Sequence, residues 1–415
     1  MNGRVRARIA KVSALAFAVA VFASGCAKDA PQTTLKPKGP KAATINNLIN
    51  PVFGIAGIVF VFILGGALFV AVKFRARDED DYDEFPAQIH GHFKAEITWT
   101  IIPLLILLGV AVPTVTTILD LAKKPPANAV QVEVYGQQWW WEYRYDTNGD
   151  GKYDDIVTAN DLVIPADREI SLHIRSRDVI HSWWAPALNG KKDAVPGRIH
   201  PLSIRADKPG EYIGQCTEFC GLSHAEMRIK VVALSSGGYE SWVKAQQKDF
   251  VNPTDPMAQA GWSAFAGQCT SCHRINGLTD PSSSPDDPAA ATKTFTYPAS
   301  EAGKENPQSG AKNQVSGAAP NLTHLMSRTM FAGGKFNLRK KTAACTKLGE
   351  DWASTPNGIE KCLNRKDLEA WLRNAPLEKA MKPGDVMSPS SRGMPNFNLT
   401  EVQIDQLVSF LITLK

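Results

Sequence analysis

The sequence predicts a multidomain protein with a two-helix transmembrane hairpin, an all-β domain and an all-α C-terminal domain. Three observations predict this: two long apolar stretches near the N-terminus, a central region of short Val-, Tyr- and Trp-rich runs, and a C-x-x-C-H motif in the last third. A chain of 415 residues is too long for one compact core. The net charge is +5 with mixed signs along the chain, which gives no support for nucleic-acid binding.

The first 25 residues have the pattern of an export signal. Basic residues precede the apolar run VSALAFAVAVFA, and small residues then lead to Cys26. Such a segment is too short to cross a bilayer and is usually removed on export. Small residues directly before a cysteine resemble the bacterial lipoprotein signal, which implies lipidation of Cys26; an ordinary signal peptide with a stray cysteine is the alternative. Residues 26–47 are rich in Pro and Lys, which predicts a flexible tether.

Two membrane spans are predicted within residues 48–122. Val52–Val72 contains no charge, and Ile97–Leu119 is apolar with two prolines. Both are long enough to cross a hydrocarbon core of about 30 Å. The positive-inside rule is weak here, because lysines also flank the outer ends. If the N-terminus is exported, two crossings place everything after Leu121 outside the cytoplasm.

Residues 125–235 predict an all-β sandwich or barrel. The runs VQVEVYGQQWWWEYRY, DLVIPA, EISLHIRS, HPLSIRAD, GEYIGQC and MRIKVVAL have the composition of short strands. The stretch DTNGDGKYDD has oxygen-bearing side chains at alternate positions, as calcium loops do. However, Val157 stands where an EF-hand loop needs its glutamate, so we expect a polar hairpin turn. Residues 236–254 are expected to form a linker to the next domain.

The stretch QCTEFCGLSHAEM contains two cysteines, a histidine and a methionine at the spacing C-x3-C-x3-H-x2-M. A disulfide, a zinc site or a copper site could explain it. Thiolate, imidazole and thioether together favour copper, because soft ligands select this metal and a weak methionine ligand typifies electron-transfer copper. A further ligand is available in His181, which we expect at the end of the strand SLHIRSRDVI.

Four motifs resemble subunit II of the haem–copper cytochrome c oxidases. They are EITWTIIPLLIL, VYGQQWWWEYRY, IHSWWAPALNGKKDAVPGR and GQCTEFCGLSHAEM, in that order, within about residues 46–247. The resemblance implies a Greek-key cupredoxin domain that carries a dinuclear copper centre. The implied ligands are the bridging thiolates of Cys216 and Cys220, the imidazoles of His181 and His224, and two weak donors, Met227 and the backbone carbonyl of Glu218.

The same resemblance implies roles for residues around the copper. The carboxylate of Glu218 would bind a magnesium ion shared with subunit I, close to Asp193. Trp139, the first tryptophan of QWWW, would be the electron-entry residue, with plain core packing as the alternative. Glu96, in EITWT, would lie at the mouth of a proton-uptake path into subunit I. A solvated glutamate favoured by the helix dipole is the alternative for Glu96.

Residues 255–415 predict a class I-like cytochrome c domain. The segment AQAGWSAFAGQCTSCH ends in the haem c attachment motif, in which Cys269 and Cys272 form thioethers and His273 binds the iron. A redox disulfide or half of a zinc site is the alternative. The segment GAAPNLTHLMSR resembles the family segment in which the Pro320 carbonyl accepts a hydrogen bond from the ring of His273.

The sixth iron ligand is expected to be one of three methionines. KPGDVM favours Met387, whereas MPNFNLTEVQ favours Met394, and we prefer Met394 because its distance to the last helix is the closer match; Met381 is the third. The final run LTEVQIDQLVSFLITLK predicts an amphipathic helix that starts with a capping box at Thr400 and Gln403.

Two insertions depart from the compact cytochrome pattern. Residues 277–317 are polar and rich in Pro, Ser and Ala, which predicts a surface excursion without a packed core. Residues 336–362 contain Cys345 and Cys362. Because the other cysteines have roles and the domain is expected outside the cell, this pair is expected to form a disulfide.

Together with the C-x-x-C-H motif, the resemblance implies a subunit II that passes electrons from its own haem c through dinuclear copper to subunit I of a proton-pumping oxidase in a bacterial cell membrane. Its copper and haem domains would lie on the outer face. The upstream donor would be a cytochrome or a quinol–cytochrome c reductase, with or without a supercomplex. The rival classes are a non-catalytic copper carrier or assembly factor, and the electron-entry module of another copper reductase.

Overall fold

The computed structural model describes residues 30–75, 90–270, 272–276, 319–354, 356–382 and 393–415. The expected export signal, Cys26, the first insertion (277–317) and Met387 lie outside the described residues. The helices are α1 (Pro40–Lys73), α2 (Phe93–Leu121), α3 (Ser236–Gln246), α4 (Pro256–Gln268), α5 (Ala343–Lys347), α6 (Pro356–Cys362), α7 (Arg365–Glu378) and α8 (Glu401–Leu411). The strands are β1 (Val130–Gln137), β2 (Trp140–Asp146), β3 (Ile156–Ala159), β4 (Asp161–Pro165), β5 (Ile170–Ser176), β6 (His181–Trp184), β7 (Lys192–Ala194), β8 (His200–Ile204), β9 (Gly210–Cys216), β10 (Arg228–Leu234), β11 (Met330–Phe331) and β12 (Phe336–Asn337).

Helices α1 and α2 are long and apolar enough to cross a membrane. Their most apolar segments have mean hydropathies of 2.8 and 2.3, and none of these residues is buried inside the protein. Side chains of this kind need hydrocarbon around them, since water would expose a large apolar surface. His92 caps the start of α2, because its Nδ1 accepts a hydrogen bond from the amide of Ala95 at 3.1 Å.

The structure differs from the flexible tether expected over residues 26–47, because α1 already begins at Pro40. Proline favours the first turn of a helix, where its missing N–H costs nothing. The preceding backbone is also held by the β domain. The amide of Lys38 donates to the carbonyl of Ala187 at 2.8 Å. The amide of Ala42, in the first turn of α1, donates to the carbonyl of Leu188 at 3.2 Å. The first membrane helix therefore starts in contact with the β domain.

The β domain is a sandwich of two five-stranded sheets. One sheet has the strand order β3-β2-β1-β5-β8, and the other has the order β4-β10-β9-β6-β7. The pairs β1–β5 and β4–β10 are parallel and the other pairs are antiparallel. Trp141, Tyr143 and Tyr145 alternate along β2 and are fully buried between the sheets. This period of two explains why the central run reads as strand.

The other face of β2 is covered by charged groups rather than apolar ones. Glu142 accepts hydrogen bonds from Arg144 at 2.5 Å and from Arg177 at 2.6 Å, and all three side chains are nearly buried. The guanidinium of Arg177 also lies 4.6 Å from the centre of the Tyr135 ring. Burial alone would raise the pKa of Glu142, but the two arginines outweigh it and lower this pKa.

The connection between β2 and β3 is a polar hairpin turn. Asp146 accepts hydrogen bonds from the amides of Gly149 and Gly151 at 2.7 and 3.0 Å. Asp155 accepts from the amide and the hydroxyl of Thr147 at 2.6 and 2.8 Å. These carboxylates bind the turn itself, as Asp residues in turns commonly do. The geometry favours a hairpin turn over a calcium loop.

The expected linker at residues 236–254 contains helix α3, and its first half belongs to the β domain. Tyr239 and Trp242 of α3 are buried against the sandwich core. The ring of Trp242 lies 5.3 Å from that of Tyr145. Tyr239 and Trp242 lie on the side of α3 that packs against the sandwich. The segment is too short for its sequence pattern to predict this packing.

The C-terminal domain is built on the crossing of α4 and α8. At the crossing, a Cβ atom on Gly261 would lie 1.9 Å from the carbonyl oxygen of Gln406, so only glycine permits this close approach. Helix α8 buries one apolar face there, and the capping box expected at Thr400 and Gln403 is present. Leu407, Val408, Phe410 and other buried side chains of α8 join the core of this domain.

The second insertion, residues 336–362, contributes buried side chains to the core of the C-terminal domain. Trp352 is fully buried, and its Nε1 donates to the carbonyl of Arg328 at 3.2 Å. Cys345 and Cys362 form a disulfide that joins α5 to the end of α6. Both cysteines are buried in the same core as Trp352.

Buried polar contacts hold the C-terminal domain against the sandwich. Asp161 of β4 accepts hydrogen bonds from the amide and hydroxyl of Thr329, and the same hydroxyl is bound by Lys230 of β10. Arg339 forms an ion pair with Glu211 of β9 at 2.9 Å. Since buried charges are costly without partners, these groups fix one relative position of the two domains.

Candidate metal centre

The candidate metal site lies at one end of the sandwich, where the loop between β9 and β10 meets the start of β6. The amide of Cys216, the last residue of β9, donates to the carbonyl of Met227 at 2.9 Å, which closes the loop. The loop contains a turn of 3₁₀ helix at His224–Glu226. This closure brings the first and last soft donors of C-x3-C-x3-H-x2-M together.

His181 reaches the site from the beginning of a strand, so the expectation that it ends the strand SLHIRSRDVI was wrong. Strand β5 ends at Ser176, and His181 is the first residue of β6 in the opposite sheet. The chain turns between them. The amide of Arg177 donates to the carbonyl of Gly136, and the hydroxyl of Ser176 accepts from the amide of Asp178. The chain crosses from one sheet to the other in this turn.

The donor atoms converge on a small buried volume. The Sγ atoms of Cys216 and Cys220 lie 3.9 Å apart. Nδ1 of His224 lies 3.5 Å from Sγ of Cys220, and Nδ1 of His181 lies 4.0 Å from Sγ of Cys216. The Sδ atom of Met227 lies 3.8 Å from Sγ of Cys220. Among the described residues, His181, Cys216 and Cys220 form the group of three whose ligand atoms all lie within 4.8 Å of one another.

The backbone of Glu218 also faces this centre, since its carbonyl oxygen lies 3.3 Å from Sγ of Cys216. The two thiols are not bonded to each other, because their separation is far longer than the 2.04 Å of the disulfide in the C-terminal domain. A thiolate pair, two imidazoles, a thioether and a carbonyl form a donor set that suits a soft transition metal.

Asp178 sets the orientation of His181. Its Oδ1 lies 2.8 Å from Nε2 of His181, so Nε2 carries the proton and the lone pair of Nδ1 faces the thiols. Burial alone would raise the pKa of Asp178, but the bond to His181 outweighs it and lowers this pKa. This is the carboxylate–histidine arrangement that orients metal-binding imidazoles.

One thiol of the pair, that of Cys216, loses its proton more easily than an ordinary cysteine does. The hydrogen bond from Cys220 lowers the pKa of Cys216 to about 4, because it stabilises a thiolate at that position. The same neighbour raises the pKa of Cys220, since a second negative charge beside the first is unfavourable. A metal cation would offset this repulsion, and so metal binding and deprotonation of Cys220 are coupled.

Tryptophans and close-packed backbone surround the donors. Trp139 is buried, and its Nε1 donates to the carbonyl of Cys220 at 3.0 Å. Trp141 meets the ring of His181 edge-on, with centroids 5.9 Å apart. Gly136 is required beneath this ring, because a Cβ atom there would lie 2.9 Å from His181. The site is thereby closed to water on the side of the sandwich.

The loop is open on another side. Phe219 is 78% exposed and Leu222 is 64% exposed, although both flank buried donors. Glu218 is partly exposed beside them and does not belong to a group of three ligands among the described residues. Asp193 accepts a hydrogen bond from Ser182 at 2.8 Å. A magnesium ion at Glu218 would need further ligands from a partner chain.

Glu96 lies at the start of α2 and is exposed. Its Oε1 accepts a hydrogen bond from the amide of His92 at 3.1 Å, which caps the helix. This contact is the local role that its position at a helix start predicts. The role of Glu96 in proton uptake stays a prediction.

The residues of the C-x-x-C-H motif lie at the end of α4. The Nδ1 of His273 lies 2.9 Å from the carbonyl of Pro320, so Nδ1 carries the proton and the lone pair of the ring lies on Nε2. Burial lowers the pKa of His273, which keeps the ring neutral as a metal ligand must be. Cys269 is buried in the C-terminal core, and Met394 packs against the same core.

Sequence reasoning missed three residues of the site. Asp178 stands three positions before His181, and a carboxylate at this spacing from a candidate histidine ligand was a usable signal. Ser223 and Lys379 carried no such signal, because their partners are backbone carbonyls in distant segments.

Two models of one protein family match this chain. "Cytochrome C oxidase subunit II, transmembrane domain" matches residues 34–117, and "Cytochrome C oxidase subunit II, periplasmic domain" matches residues 130–234. Cytochrome c oxidase subunit 2 of Bacillus sp. strain PS3 is 30% identical over 96% of this chain and 95% of its own length. The corresponding protein of Alkalihalophilus pseudofirmus is 36% identical over 62% of this chain and 75% of its own length.

A solved structure is also similar. It is the periplasmic domain of subunit II of cytochrome oxidase from Bradyrhizobium japonicum, which is 29% identical and covers 30% of this chain and 97% of its own, with a TM-score of 0.28.

Replacing Asp178 with Asn tests the orientation of His181. The amide keeps the size of the side chain but removes the charge that holds the proton on Nε2. We expect copper affinity to fall about 10- to 100-fold, measured by titrating the full chain with copper against a competing chelator. Asp207→Asn, which removes an exposed carboxylate that forms an ion pair with Arg205 at 3.6 Å, is the control. Equal affinities for both variants and the unaltered chain would contradict the assigned role of Asp178.

Proposed function

This chain belongs to the cytochrome c oxidase subunit II family, and we propose that it passes electrons from a haem c in its own C-terminal domain, through a dinuclear copper centre, to subunit I. It is a subunit of a haem–copper oxidoreductase complex, anchored in the membrane by α1 and α2, and its partner is subunit I. Family membership implies a dinuclear copper centre in the β domain. The assignment of residues to that centre and to the haem is our proposal.

The observation that carries the copper assignment is the convergence of Cys216, Cys220 and His181 from separate elements. We assign the thiolates as bridging ligands, His181 and His224 as terminal ligands, and Met227 and the Glu218 carbonyl as weak ligands. A copper centre held by these residues would supply one-electron transfer, with the thiolates of Cys216 and Cys220 as the donors shared between the metals. The protein holds the imidazoles in place through Asp178 and the loop closure, and its tryptophans exclude water.

The haem assignment rests on the C-x-x-C-H motif and on the surroundings of its histidine. Cys269 and Cys272 would attach the haem and His273 would bind the iron through Nε2, since Nδ1 is bound to Pro320. Met394 is our candidate for the sixth ligand, because it packs on the same core as Cys269. Met381 packs instead against the core of the β domain, which disfavours it as an iron ligand.

The exposed apolar side of the copper loop suits contact with subunit I. Phe219 and Leu222 would be covered there, since large exposed apolar groups on a rigid loop mark an interface. Glu218 directly precedes Phe219 and is partly exposed, which fits a magnesium ion shared with subunit I. Trp139 is buried, and its Nε1 donates to the carbonyl of Cys220; we assign it to electron entry.

The other parts of the proposal concern setting and partners. The two spans with an exported N-terminus would place the copper and haem domains on the outer face of a bacterial membrane, with Cys26 as a lipid anchor. The upstream donor would be a cytochrome or a quinol–cytochrome c reductase. Oxygen reduction and proton pumping would belong to the assembled complex.

The proposal is tested by spectra of the full chain purified in detergent with copper and haem supplied. We expect an electron paramagnetic resonance signal of one electron shared by two coppers, beside a low-spin haem c. A single-copper signal would favour a copper carrier or assembly factor. Copper without covalent haem would leave an oxidase subunit but refute the fused cytochrome.

Replacing Met394 with Ala tests the sixth haem ligand. The substitution removes the thioether, so the methionine-to-iron absorption band near the red end of the spectrum should disappear while the haem stays covalently attached. Met257→Ala, which changes an exposed methionine of α4, should leave the band intact. Loss of the band in Met387→Ala instead would transfer the assignment to Met387.

Replacing Glu96 with Gln tests the proton-uptake role. The amide oxygen still accepts the hydrogen bond from His92, so the start of α2 is preserved while the titratable group is lost. We expect oxygen-reduction turnover of the assembled complex to decrease. Glu240→Gln, at an exposed position of α3, is the control. Unchanged turnover in the Glu96 variant would leave this residue with its capping role alone.

A further inference from the structure

We propose that residues 379–381, which directly follow α7, form a strap that locks the C-terminal domain onto the metal loop and serves as the contact for electron transfer between the two domains. The electron-transfer half of this inference rests on the proposed function. The locking half depends only on the contacts of the protein itself. Lys379 is the positioning residue of the strap.

Lys379 is a buried lysine whose amino group binds both domains at once. Its side chain is 3% exposed, and Nζ donates to the carbonyls of Ala332 at 2.8 Å, Trp139 at 2.9 Å and Glu226 at 3.3 Å. An ammonium group has three protons, and here each one has an acceptor. Ala332 lies in the C-terminal domain, whereas the other two carbonyls lie in segments of the metal site.

The two carbonyls from the β domain are close to proposed metal donors along the chain and in space. Glu226 directly precedes Met227 in the metal loop. Trp139 binds the carbonyl of Cys220 through its indole N–H at 3.0 Å. A shift of the ammonium group of Lys379 would therefore be transmitted to both sides of the loop.

The remaining residues of the strap add two contacts. The buried hydroxyl of Ser223 donates to the carbonyl of Ala380 at 2.5 Å, and Ser223 directly precedes His224. Met381 packs against the core of the β domain. Gly393 in turn lies on Met381, because a Cβ atom there would be 2.3 Å from its Sδ.

These contacts connect the two proposed redox sites by a short route. Met394 directly follows Gly393, which contacts Met381 of the strap. Ala380, which precedes Met381, accepts the hydrogen bond of Ser223, the neighbour of His224. A buried hydrogen bond and one van der Waals contact are the steps of this route that do not follow covalent bonds. The strap thus joins the methionine segment of the haem site to the imidazole side of the copper site.

Other residues of the C-terminal domain also contact Trp139 and Glu226, the two β-domain residues that Lys379 binds. Gly333 has a φ of +70°, and a Cβ atom there would lie 2.2 Å from the carbonyl oxygen of Trp139. Lys335 forms an ion pair with Glu226 at 2.9 Å. The turn at Gly333 and the strap approach Trp139 from the same domain, so an external donor cannot reach that tryptophan's carbonyl side without displacing them.

The test uses the full chain in detergent, loaded with copper and haem, and compares Lys379→Met with Lys382→Met. Both variants replace one lysine with methionine, but Lys382 is exposed and lies just beyond the strap. We expect Lys379→Met to slow electron transfer from photoreduced haem to copper about tenfold or more, because the donor and acceptor are no longer held in place. Lys382→Met should match the unaltered chain.

Hydrogen exchange of the same proteins separates the two halves of the inference. In Lys379→Met we expect faster amide exchange in residues 219–227 and 330–337, with the copper and haem spectra retained. Ser223→Ala, which changes no charge, should have the same effect in a weaker form, and it replaces Lys379→Met if that variant does not fold.

Each outcome decides one claim. Unchanged exchange and unchanged transfer in both strap variants would overturn the strap and leave the proposed function standing. Faster exchange without slower transfer would retain the lock and overturn the electron contact. No haem-to-copper electron transfer in the unaltered chain would refute the proposed function. Amide exchange in the strap variants would still test whether the strap holds the two domains together.

Discussion

The structure depends on holding two buried thiols 3.9 Å apart without allowing them to bond. Such a pair is unfavourable as two thiolates unless a cation lies between them. The closing hydrogen bond from Cys216 to Met227 fixes the length of the loop, and Trp139 fixes the carbonyl of Cys220. The chain crosses from one sheet to the other between Ser176 and His181, and this crossing places His181 beside the thiols. The sandwich supplies the rigidity that this arrangement requires.

The membrane helices and the β domain form a continuous support for that loop. Helix α1 begins against the backbone of Ala187 and Leu188, in the segment that follows His181 along the chain. A membrane helix that starts in hydrogen-bonded contact with the domain restricts how the domain can tilt. This restriction favours a constant position of the exposed residues Phe219 and Leu222, the side that we assign to subunit I.

The C-terminal domain is attached by buried polar groups rather than by a loose linker. Asp161, Lys230 and Thr329 form one cluster, and Lys379 forms another at the metal loop. Buried charges tolerate little displacement, because a lost partner leaves the charge without compensation. The C-terminal domain therefore keeps one position against the sandwich. A constant position suits repeated electron transfer, because the two domains do not have to find each other before each transfer.

The sequence by itself determined the two spans, most strands of the sandwich and the soft donors of the metal loop, because each depends on local period or spacing. It did not determine that His181 opens a strand, that α3 packs on the sandwich, or that Asp178 orients the imidazole. Those depend on which distant segments meet. Lys379 is the clearest case: its partners are backbone carbonyls far along the chain, and a carbonyl is present at every residue, so only the tertiary structure selects which ones it binds.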